Sequence, residues 1–384
     1  IVCTSTLAEG INLPAKNLFL KNPLIAVRGE SSKKMKDVQI KNIVGRAGRM
    51  TQHFSGNVFL VEPDIWEFDD YFDGEEEENK IPGYQEAINT RCFDIIGILN
   101  GSSDLDPDSF DLYSIANKLL KDFQRGILDE VLNSDLIELS ISQKELLLSA
   151  VKDAYERINI PVFILESNPT IGYIQQNKLF AFLQSIDNIE EWLVPHPLSK
   201  DLHEKLNMIF SMLSEFGLYK PTQDYSISQV CLIARKWIGS NLLSEIISDQ
   251  IAWDVKMSDE NQKKAPKVNS SVRKVIKAIN DDVRFRMSNS LKCYIGILDL
   301  VLASRQLELT NVKLNYYLEI GSSIEEVISL INIGLSRESS LEVYGAVSGF
   351  EGIENKNELK ALVDSGKLNT MHNVALQEIK NLLD

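Results

Sequence analysis

The feature that most restricts the fold of this chain is a short apolar run at its start that breaks into hydroxyl residues and glycine. Residues 1–3 are apolar, and Thr4, Thr6, Gly10 and Asn12 follow them. This pattern predicts a buried strand that ends in a polar loop. Loops of this kind are where α/β proteins place the groups that contact ligands. The first residues are therefore predicted to form a strand and a candidate binding loop.

A second run, residues 42–49, combines glycines with paired arginines. Apolar residues recur there at helical spacing, at Ile40, Ile43, Val44 and Ala47, which predicts a short helix with one buried face. Arg46 and Arg49 lie three residues apart at its end, so their side chains can point the same way. A guanidinium carries a permanent charge and a rigid donor fork that matches phosphate oxygens. The run therefore predicts a polyphosphate site, with a plain basic turn as the alternative.

Together the two runs resemble motifs V and VI of superfamily-two helicases, most closely those of the superkiller-type branch. The matching residues are Thr4-Ser5-Thr6-Leu7-Ala8-Glu9-Gly10-Ile11-Asn12-Leu13-Pro14-Ala15 and Asn42-Ile43-Val44-Gly45-Arg46-Ala47-Gly48-Arg49. The likeness covers residues 1 to 62. Asn42 stands where the family usually has Gln, which is one methylene longer. Residues 235–239 and 334–337 also look like segments from the helical C-terminal parts of bacterial members.

The resemblance implies a role for each matching position. Thr4 and Thr6 would contact the nucleic-acid backbone, and Arg46 and Arg49 would be the arginine fingers that reach the γ-phosphate in catalysis. The implied nucleotide contacts are Gly10, Asn12, Asn42 and Gly45. An arginine finger stabilises the charge of the transferred phosphoryl group.

The implied cofactors are ATP and a Mg²⁺ ion held by a first RecA-like lobe. Neither a G-x-x-x-x-G-K-[ST] phosphate loop nor an acidic metal-holding motif occurs in the chain. We therefore expect the C-terminal fragment of an ATP-dependent helicase, inactive alone, whose partners are single-stranded RNA or DNA and the first lobe of the same protein. The alternative is a non-catalytic helical interaction scaffold with a degenerate helicase-like front.

The predicted fold class is α/β: a partial RecA-like helicase C-terminal lobe, then a mostly α-helical region with a winged helix as one option. The predicted parts are the partial lobe at 1–66, an acidic linker at 67–84, a helical or winged-helix-like region at 85–220 and a helical C-terminal domain at 221–384. Residues 17–20 and 57–61 are predicted strands of one parallel sheet. Residues 67 to 79 hold eight acids and no base, which indicates a solvated segment.

Helical signals dominate the rest of the chain. Two apolar stripes have helical spacing: Ile115, Leu119, Phe123, Ile127 and Val131, and Leu206, Ile209, Phe210, Leu213 and Phe216. Ser142 with Glu145 and Ser322 with Glu325 have the spacing of capping boxes. Gly239 and Gly366 stand where helices should end. The apolar run 161–165 is either a wing strand or a loop anchor, and Trp237 and Trp253 are predicted to lie in the core.

The net charge of −15 and the sequence pI near 4.9 argue against a nucleic-acid-binding protein. One segment has the opposite balance. Residues 261–280 hold six bases and no acid: Lys263, Lys264, Lys267, Arg273, Lys274 and Lys277. A basic helix suits the backbone of a single strand, so Lys274 and Lys277 are predicted nucleic-acid contacts. A solvated helix face is the competing interpretation.

Several classes of site find no support in the sequence. The four cysteines and the four histidines have no metal-ligand spacing, so no metal site is predicted and the thiols are expected to be buried and reduced. Apolar runs fall short of the roughly 18 residues that a membrane span needs. We therefore expect no membrane partner and a cytoplasmic protein.

Overall fold

The computed structural model describes part of the chain, which divides into two compact units, residues 1–83 and 84–384. The described residues are 17–25, 33–35, 40, 43–44, 57–66, 83–101, 110–222, 225–260 and 268–383. Predictions that fall on other residues lie outside this part of the chain. Among them are the opening run at residues 1–3 and the acidic segment at residues 67–79.

The described part of the first unit contains short paired strands. Strand β1, Asn17–Leu20, pairs in parallel with β4, Asn57–Leu60, whereas β2, Leu24–Ile25, pairs antiparallel with β3, Lys33–Lys34. The prediction that 17–20 and 57–61 are strands of one parallel sheet is therefore confirmed through Leu60, and the two strands are direct neighbours. Helical residues follow β3, where Met35 and Ile40 are buried together with Ile43, Val44 and Trp66 packed against them. These contacts agree with the predicted apolar face of the arginine-bearing segment.

The α/β fold class predicted from the sequence is wrong. Of the described residues, 68% are helical, and the parallel pairing is limited to two strands of four residues each. A doubly covered parallel sheet is built from repeated strand–helix–strand units with a buried sheet between helical layers. The described apolar residues instead recur mainly at helical spacing. The protein is therefore nearly all-helical in its described part and is not an α/β RecA-like lobe.

The described part of the second unit consists of helices that follow one another along the chain. They are α1 Tyr84–Asn100, α2 Phe110–Gln124, α3 Leu128–Leu132, α4 Ile141–Arg157, α5 Val162–Ser167, α6 Tyr173–Ser185, α7 Leu202–Glu215, α8 Ile227–Ile238, α9 Leu243–Glu260, α10 Val268–Lys277, α11 Ser288–Ser304, α12 Leu314–Ile320, α13 Glu325–Asn332, α14 Arg337–Ala346, α15 Lys356–Asp364 and α16 Asn373–Leu383. Short 3₁₀ helices form at Pro63–Ile65 and Ile189–Trp192, and a π-helix, Ala278–Met287, joins α10 to α11.

Apolar stripes form the core of this unit. The main cluster extends from Ala87 to Leu318, and a smaller one extends from Leu330 to Ile379. The stripe on α7 is buried as predicted, except for the half-buried Phe216, which is the C-cap residue. The stripe that begins on α2 is interrupted at Gly126, whose φ of +71° lies in the left-handed region. The sequence periodicity therefore located both buried faces. It wrongly continued the face of α2 beyond the turn at Gly126.

Two of the predicted helix starts are wrong. The capping box that begins α4 is Ser140 with Gln143, not Ser142 with Glu145. Helix α13 begins after Ile324 without a side-chain cap, and the Ser322 hydroxyl instead accepts a hydrogen bond from the Ile324 amide and pairs with Ser240. A capping box can have glutamine instead of glutamate at its fourth position. A nearby Ser-x-x-Glu therefore does not by itself identify the first residue of the helix.

The wing strand considered at 161–165 is also wrong. Val162–Ser167 is the short helix α5, and the Ile164 amide donates to the Pro161 carbonyl. Proline fits the first turn of a helix because its fixed φ is helical and it lacks only an amide that would be unpaired there. Trp237 is buried as predicted, but Trp253 is 46% exposed and is not a core residue. Gly239 and Gly366 follow α8 and α15, as predicted.

Candidate nucleic-acid interface

The structure describes two of the predicted site residues. Lys274 and Lys277 lie on α10. The others fall outside the described residues: Thr4, Thr6, Gly10, Asn12, Asn42, Gly45, Arg46 and Arg49. The geometry available for a functional site is therefore that of the helical unit.

Helix α10, the π-helix and α11 follow one another without a break from Val268 to Ser304. We call the part from Arg273 to Lys292 that faces solvent the basic face. Arg273 and Lys277 are both exposed and lie four residues apart, so they are neighbours on one side of the helix. From Val268 to Asn280 the helix carries no acid. This face can therefore attract an extended anion although the whole chain is acidic.

Lys274 differs from its neighbours. It is half-buried, and its ammonium lies 4.3 Å from the centre of the Tyr225 ring. A cation over an aromatic face is stabilised by the ring quadrupole. Lys274 thus ties α10 to the segment before α8, while Lys277 points into solvent with its charge available.

The π-helix continues the basic face with an aromatic side chain. Arg284 and Phe285 are exposed, Phe285 by 50%, and Lys292 on α11 is exposed about two turns beyond. The Arg284 Nε donates to the Glu319 carbonyl at 3.0 Å, which fixes the start of its guanidinium against the end of α12. An exposed ring among cations is the arrangement on which single-stranded bases stack. The sequence pattern did not point to Phe285, because a lone aromatic residue in a helix carries no periodic signal.

A buried carboxylate holds the base of this face in place. Asp282 is fully buried and accepts hydrogen bonds from the amide and the hydroxyl of Thr222, at 2.8 and 2.7 Å. Burial raises the pKa of Asp282, although the bonds from Thr222 and the charge of Arg286 oppose that change. The Ser290 hydroxyl also donates to the Leu218 carbonyl at 2.7 Å. The segment 218–222 is therefore held at one point by the π-helix, through Asp282, and at another by α11, through Ser290.

That fastened segment supplies another cation. Lys220 is exposed and borders a shallow cleft of about 50 Å³ that Phe285, Arg286 and Asn289 also line. The cleft thus combines cationic, amide and aromatic groups along the same side of the helix. Aromatic stacking and backbone neutralisation by cations are the two contacts that hold a single strand.

Helix α9, which packs against α10, contributes a carboxylate that already has hydrogen-bond partners within the protein. Asp254 on α9 accepts hydrogen bonds from Ser271 at 2.6 Å and from Gln250 at 2.8 Å. The nearby phenol of Tyr225 is buried, which raises its pKa, with the charges of Asp254 and Asp282 acting in the same direction. Asp282 and Tyr225 are buried and Asp254 is half-buried with its carboxylate already hydrogen-bonded, so Asp281, also half-buried, is the acid that remains beside the exposed cations between Arg273 and Lys292.

Other kinds of site find no support in the described part of the chain. No group of three or more histidine, cysteine or carboxylate side chains there could hold a metal ion. Cys92, Cys231 and Cys293 are free and buried, as predicted, while Cys3 lies outside the described residues. Among the helices of the described part, none is long and apolar enough to cross a membrane.

Comparison with known proteins gives two partial similarities. A stretch of 242 residues, 62% of this chain, is 24% identical to Anti-bacteriophage protein B of Escherichia coli (strain K12) and covers 29% of that protein. A stretch of 61 residues, 16% of this chain, is 36% identical to DNA polymerase theta of Drosophila melanogaster and covers 3% of that protein. No protein-family model matches the chain. The chain therefore spans less than a third of either relative, and one short part of it is similar to an enzyme of nucleic-acid metabolism.

Proposed function

We propose that this chain is the strand-binding, C-terminal part of an ATP-dependent nucleic-acid helicase or translocase. The observation that carries the proposal is the basic face, on which Arg273, Lys277 and Phe285 are exposed along one helix in an otherwise acidic protein. Cations along a helix neutralise backbone phosphates, and an exposed ring gives one base a stacking surface. The ligand of this surface is a single-stranded nucleic acid.

The catalytic part of the proposal rests on the two helicase-like motifs. Arg46 and Arg49 would complete an ATP site whose phosphate loop and Mg²⁺ ligands belong to another part of the parent protein, and Thr4 would hold one phosphate of the strand. Partial similarity to DNA polymerase theta supports a nucleic-acid enzyme. The longer similarity to Anti-bacteriophage protein B supports a role of the parent protein in defence against bacteriophage.

The basic face is tested with the chain itself and labelled oligo-dT and oligo-rU of about 20 nucleotides, which span the site of a typical single-strand-binding domain. We expect Arg273→Gln combined with Lys277→Gln to weaken binding. The slope of log K against log salt should fall by about 1.4, or about 0.7 for each lost phosphate contact. The oligonucleotide that binds with the higher affinity shows whether the surface prefers DNA or RNA.

The matched control removes the same two charges elsewhere. The side chains of Arg125 and Lys152 are exposed and have no hydrogen-bond or ion-pair partner among the described residues, so Arg125→Gln combined with Lys152→Gln should leave the slope unchanged. Equal slopes for the two double variants would show that the basic face is only a solvated surface. Absence of binding to both oligonucleotides would favour the helical interaction scaffold instead.

The arginine fingers are tested by ATP hydrolysis in the complete parent protein. Arg46→Lys combined with Arg49→Lys keeps the charge but removes the donor fork, and we expect strand-stimulated hydrolysis to fall by about 10³-fold or more while strand binding persists. An equal loss of hydrolysis and strand binding would contradict the assignment, because it would show a structural role for these arginines.

A further inference from the structure

A second cleft lies away from the basic face, between the loop 195–199 and the C-terminal half of α8. Its volume is about 420 Å³, within the size range of sites that bind small ligands or short peptide segments. The residues that line it are Pro197, Leu198, Ser199, Leu232, Arg235, Lys236, Gly239 and Asn241. We call it the α8 cleft. It has one aliphatic wall and one cationic end.

Both sides of the α8 cleft are held in place. In the loop, the Leu198 amide donates to His196 Nδ1 at 3.2 Å and the Ser199 amide donates to the His196 carbonyl at 2.9 Å. On the other side, Arg337 donates to the carbonyls of Trp237 and Asn241, at 3.1 and 2.7 Å. A site that is already formed avoids the entropy loss of ordering its walls when a ligand binds.

The two cations of the α8 cleft differ in availability. Lys236 forms an ion pair with Asp249 at 2.6 Å. The exposed guanidinium of Arg235 has no hydrogen bond or ion pair with any described residue. A guanidinium binds a carboxylate through two parallel hydrogen bonds. Arg235 therefore supplies an uncompensated site for an anionic group at the cationic end.

Two leucines of the aliphatic wall are open to solvent. Leu198 is 73% exposed and Leu232 is 41% exposed, and the buried Pro197 also lines the cleft. None of the lining residues is aromatic, so the wall offers no ring on which a base could stack. Contact with aliphatic carbon is what this wall can stabilise.

We propose that the α8 cleft binds a peptide segment of a partner protein in which an aliphatic side chain lies next to a carboxylate. The aliphatic side chain packs against Leu198 and Leu232, and the carboxylate pairs with Arg235. Charge complementarity selects an acidic segment, and the absence of aromatic lining disfavours a nucleic acid. This inference goes beyond strand binding and does not depend on it.

The test uses a phage-displayed library of random heptapeptides, selected on the wild-type chain and counter-selected on Arg235→Gln. We expect enrichment of sequences in which Leu, Ile or Val adjoins Asp or Glu. The best peptide, made synthetically, should bind Arg235→Gln about tenfold or more weakly, which is the cost of losing a charge-assisted hydrogen-bond pair. Leu232→Ser should weaken it as well.

Two controls separate this cleft from the basic face. Arg125→Gln removes one exposed arginine elsewhere and should leave peptide affinity unchanged. Arg273→Gln combined with Lys277→Gln should also leave it unchanged, even if that variant has lost strand binding. The proposal is overturned if no consensus is enriched, if the consensus lacks acids, or if Arg235→Gln binds the peptide as wild type does. It is likewise overturned if oligo-dT displaces the peptide.

Discussion

The guanidinium of Arg337 lies 3.9 Å above the Trp237 ring and donates a hydrogen bond to the carbonyl of that same tryptophan. Arg337 also donates to the carbonyls of Asn241 and Gly321 and pairs with the Glu338 carboxylate, and the Trp237 indole in turn donates to the Leu318 carbonyl. One buried arginine thus joins the ends of α8 and α12 to the start of α14. The joint also supports one side of the α8 cleft.

Arg337→Lys should therefore destabilise the protein although it keeps the charge. A lysine cannot supply the planar fork or the ring stacking, and two or three main-chain carbonyls lose their partner. We expect the free energy of unfolding to fall by about 3 kcal/mol. Chemical denaturation measures the change, with the exposed Arg125→Lys as a control that should stay within about 0.5 kcal/mol. A similar small change for both variants would show that the bonds of Arg337 to α8, α12 and α14 do not stabilise the fold.

Gly321→Ala should be destabilising for two reasons at once. The φ of Gly321 is +92°, and an added Cβ would lie 2.4 Å from the Trp237 ring and 2.7 Å from the Arg337 side chain. Gly126→Ala is the matched control, because Gly126 has a φ of +71° and open space around it. We expect a loss of about 1 kcal/mol for Gly126→Ala from backbone strain alone, and about 2 kcal/mol more for Gly321→Ala from the clash. Thermal denaturation measures both losses of stability. Equal losses for Gly321→Ala and Gly126→Ala would show that the added Cβ at position 321 does not clash with Trp237 or Arg337.

Glu378 should give the protein a distinct pH dependence. Partial burial favours the neutral acid, but bonds from the Ser339 hydroxyl and from the amide and hydroxyl of Ser336 outweigh it and lower the pKa of Glu378 below its ordinary value of 4.5. A lowered pKa stabilises the folded state above the ordinary value, and this contribution is lost as the pH falls through the folded-state pKa.

Glu378→Gln removes this titration. We expect it to cost about 1 kcal/mol at neutral pH, with the difference from wild type shrinking as the pH drops below about 4.5. Unfolding by denaturant across that range measures it. A difference that is constant with pH would show that the carboxylate charge plays no part in fixing α16 to α14.

Asp282 should show the opposite sign. Burial raises its pKa, so its contribution to stability is greatest below its unfolded-state pKa of about 3.9 and is lost as the pH rises through the folded-state value. Compared with Asp282→Asn, wild type should therefore lose relative stability as the pH rises above about 4. The measurement is the difference between the two unfolding free energies at each pH. A difference that grows with pH would mean that Thr222 and Arg286 outweigh burial.

Local periodicity predicted much of the helical unit. The stripe of α7, the burial of Trp237 on α8 and the glycines after α8 and α15 follow from side chains that repeat with the helical period. The placement of β1 and β4 in one parallel sheet was also predictable, because two short apolar runs flank a helical segment. These features depend on residues that are close together in the chain, so they can be predicted from one sequence.

Features that depend on distant contacts were not predictable. The predicted α/β fold class was wrong because short strands near the start were interpreted as part of a RecA-like lobe. Residues 161–165 were considered as a strand because a short apolar run fits both a strand and a buried helix. The exposure of Trp253 and the setting of Asp282 against Thr222 are decided by packing across the chain. The motif residues from Thr4 to Arg49 stay predictions.

The π-helix between α10 and α11 has a consequence for how this surface can vary. Each residue of an α-helix advances the chain by about 100° around the axis, so one residue gained or lost within Ala278–Met287 would rotate Phe285 or Lys292 away from Arg273 and Lys277. The number of residues in Ala278–Met287 therefore determines whether the Phe285 ring lies on the same side as Arg273 and Lys277. Homologues that keep this surface should tolerate many substitutions in the segment but no insertions or deletions.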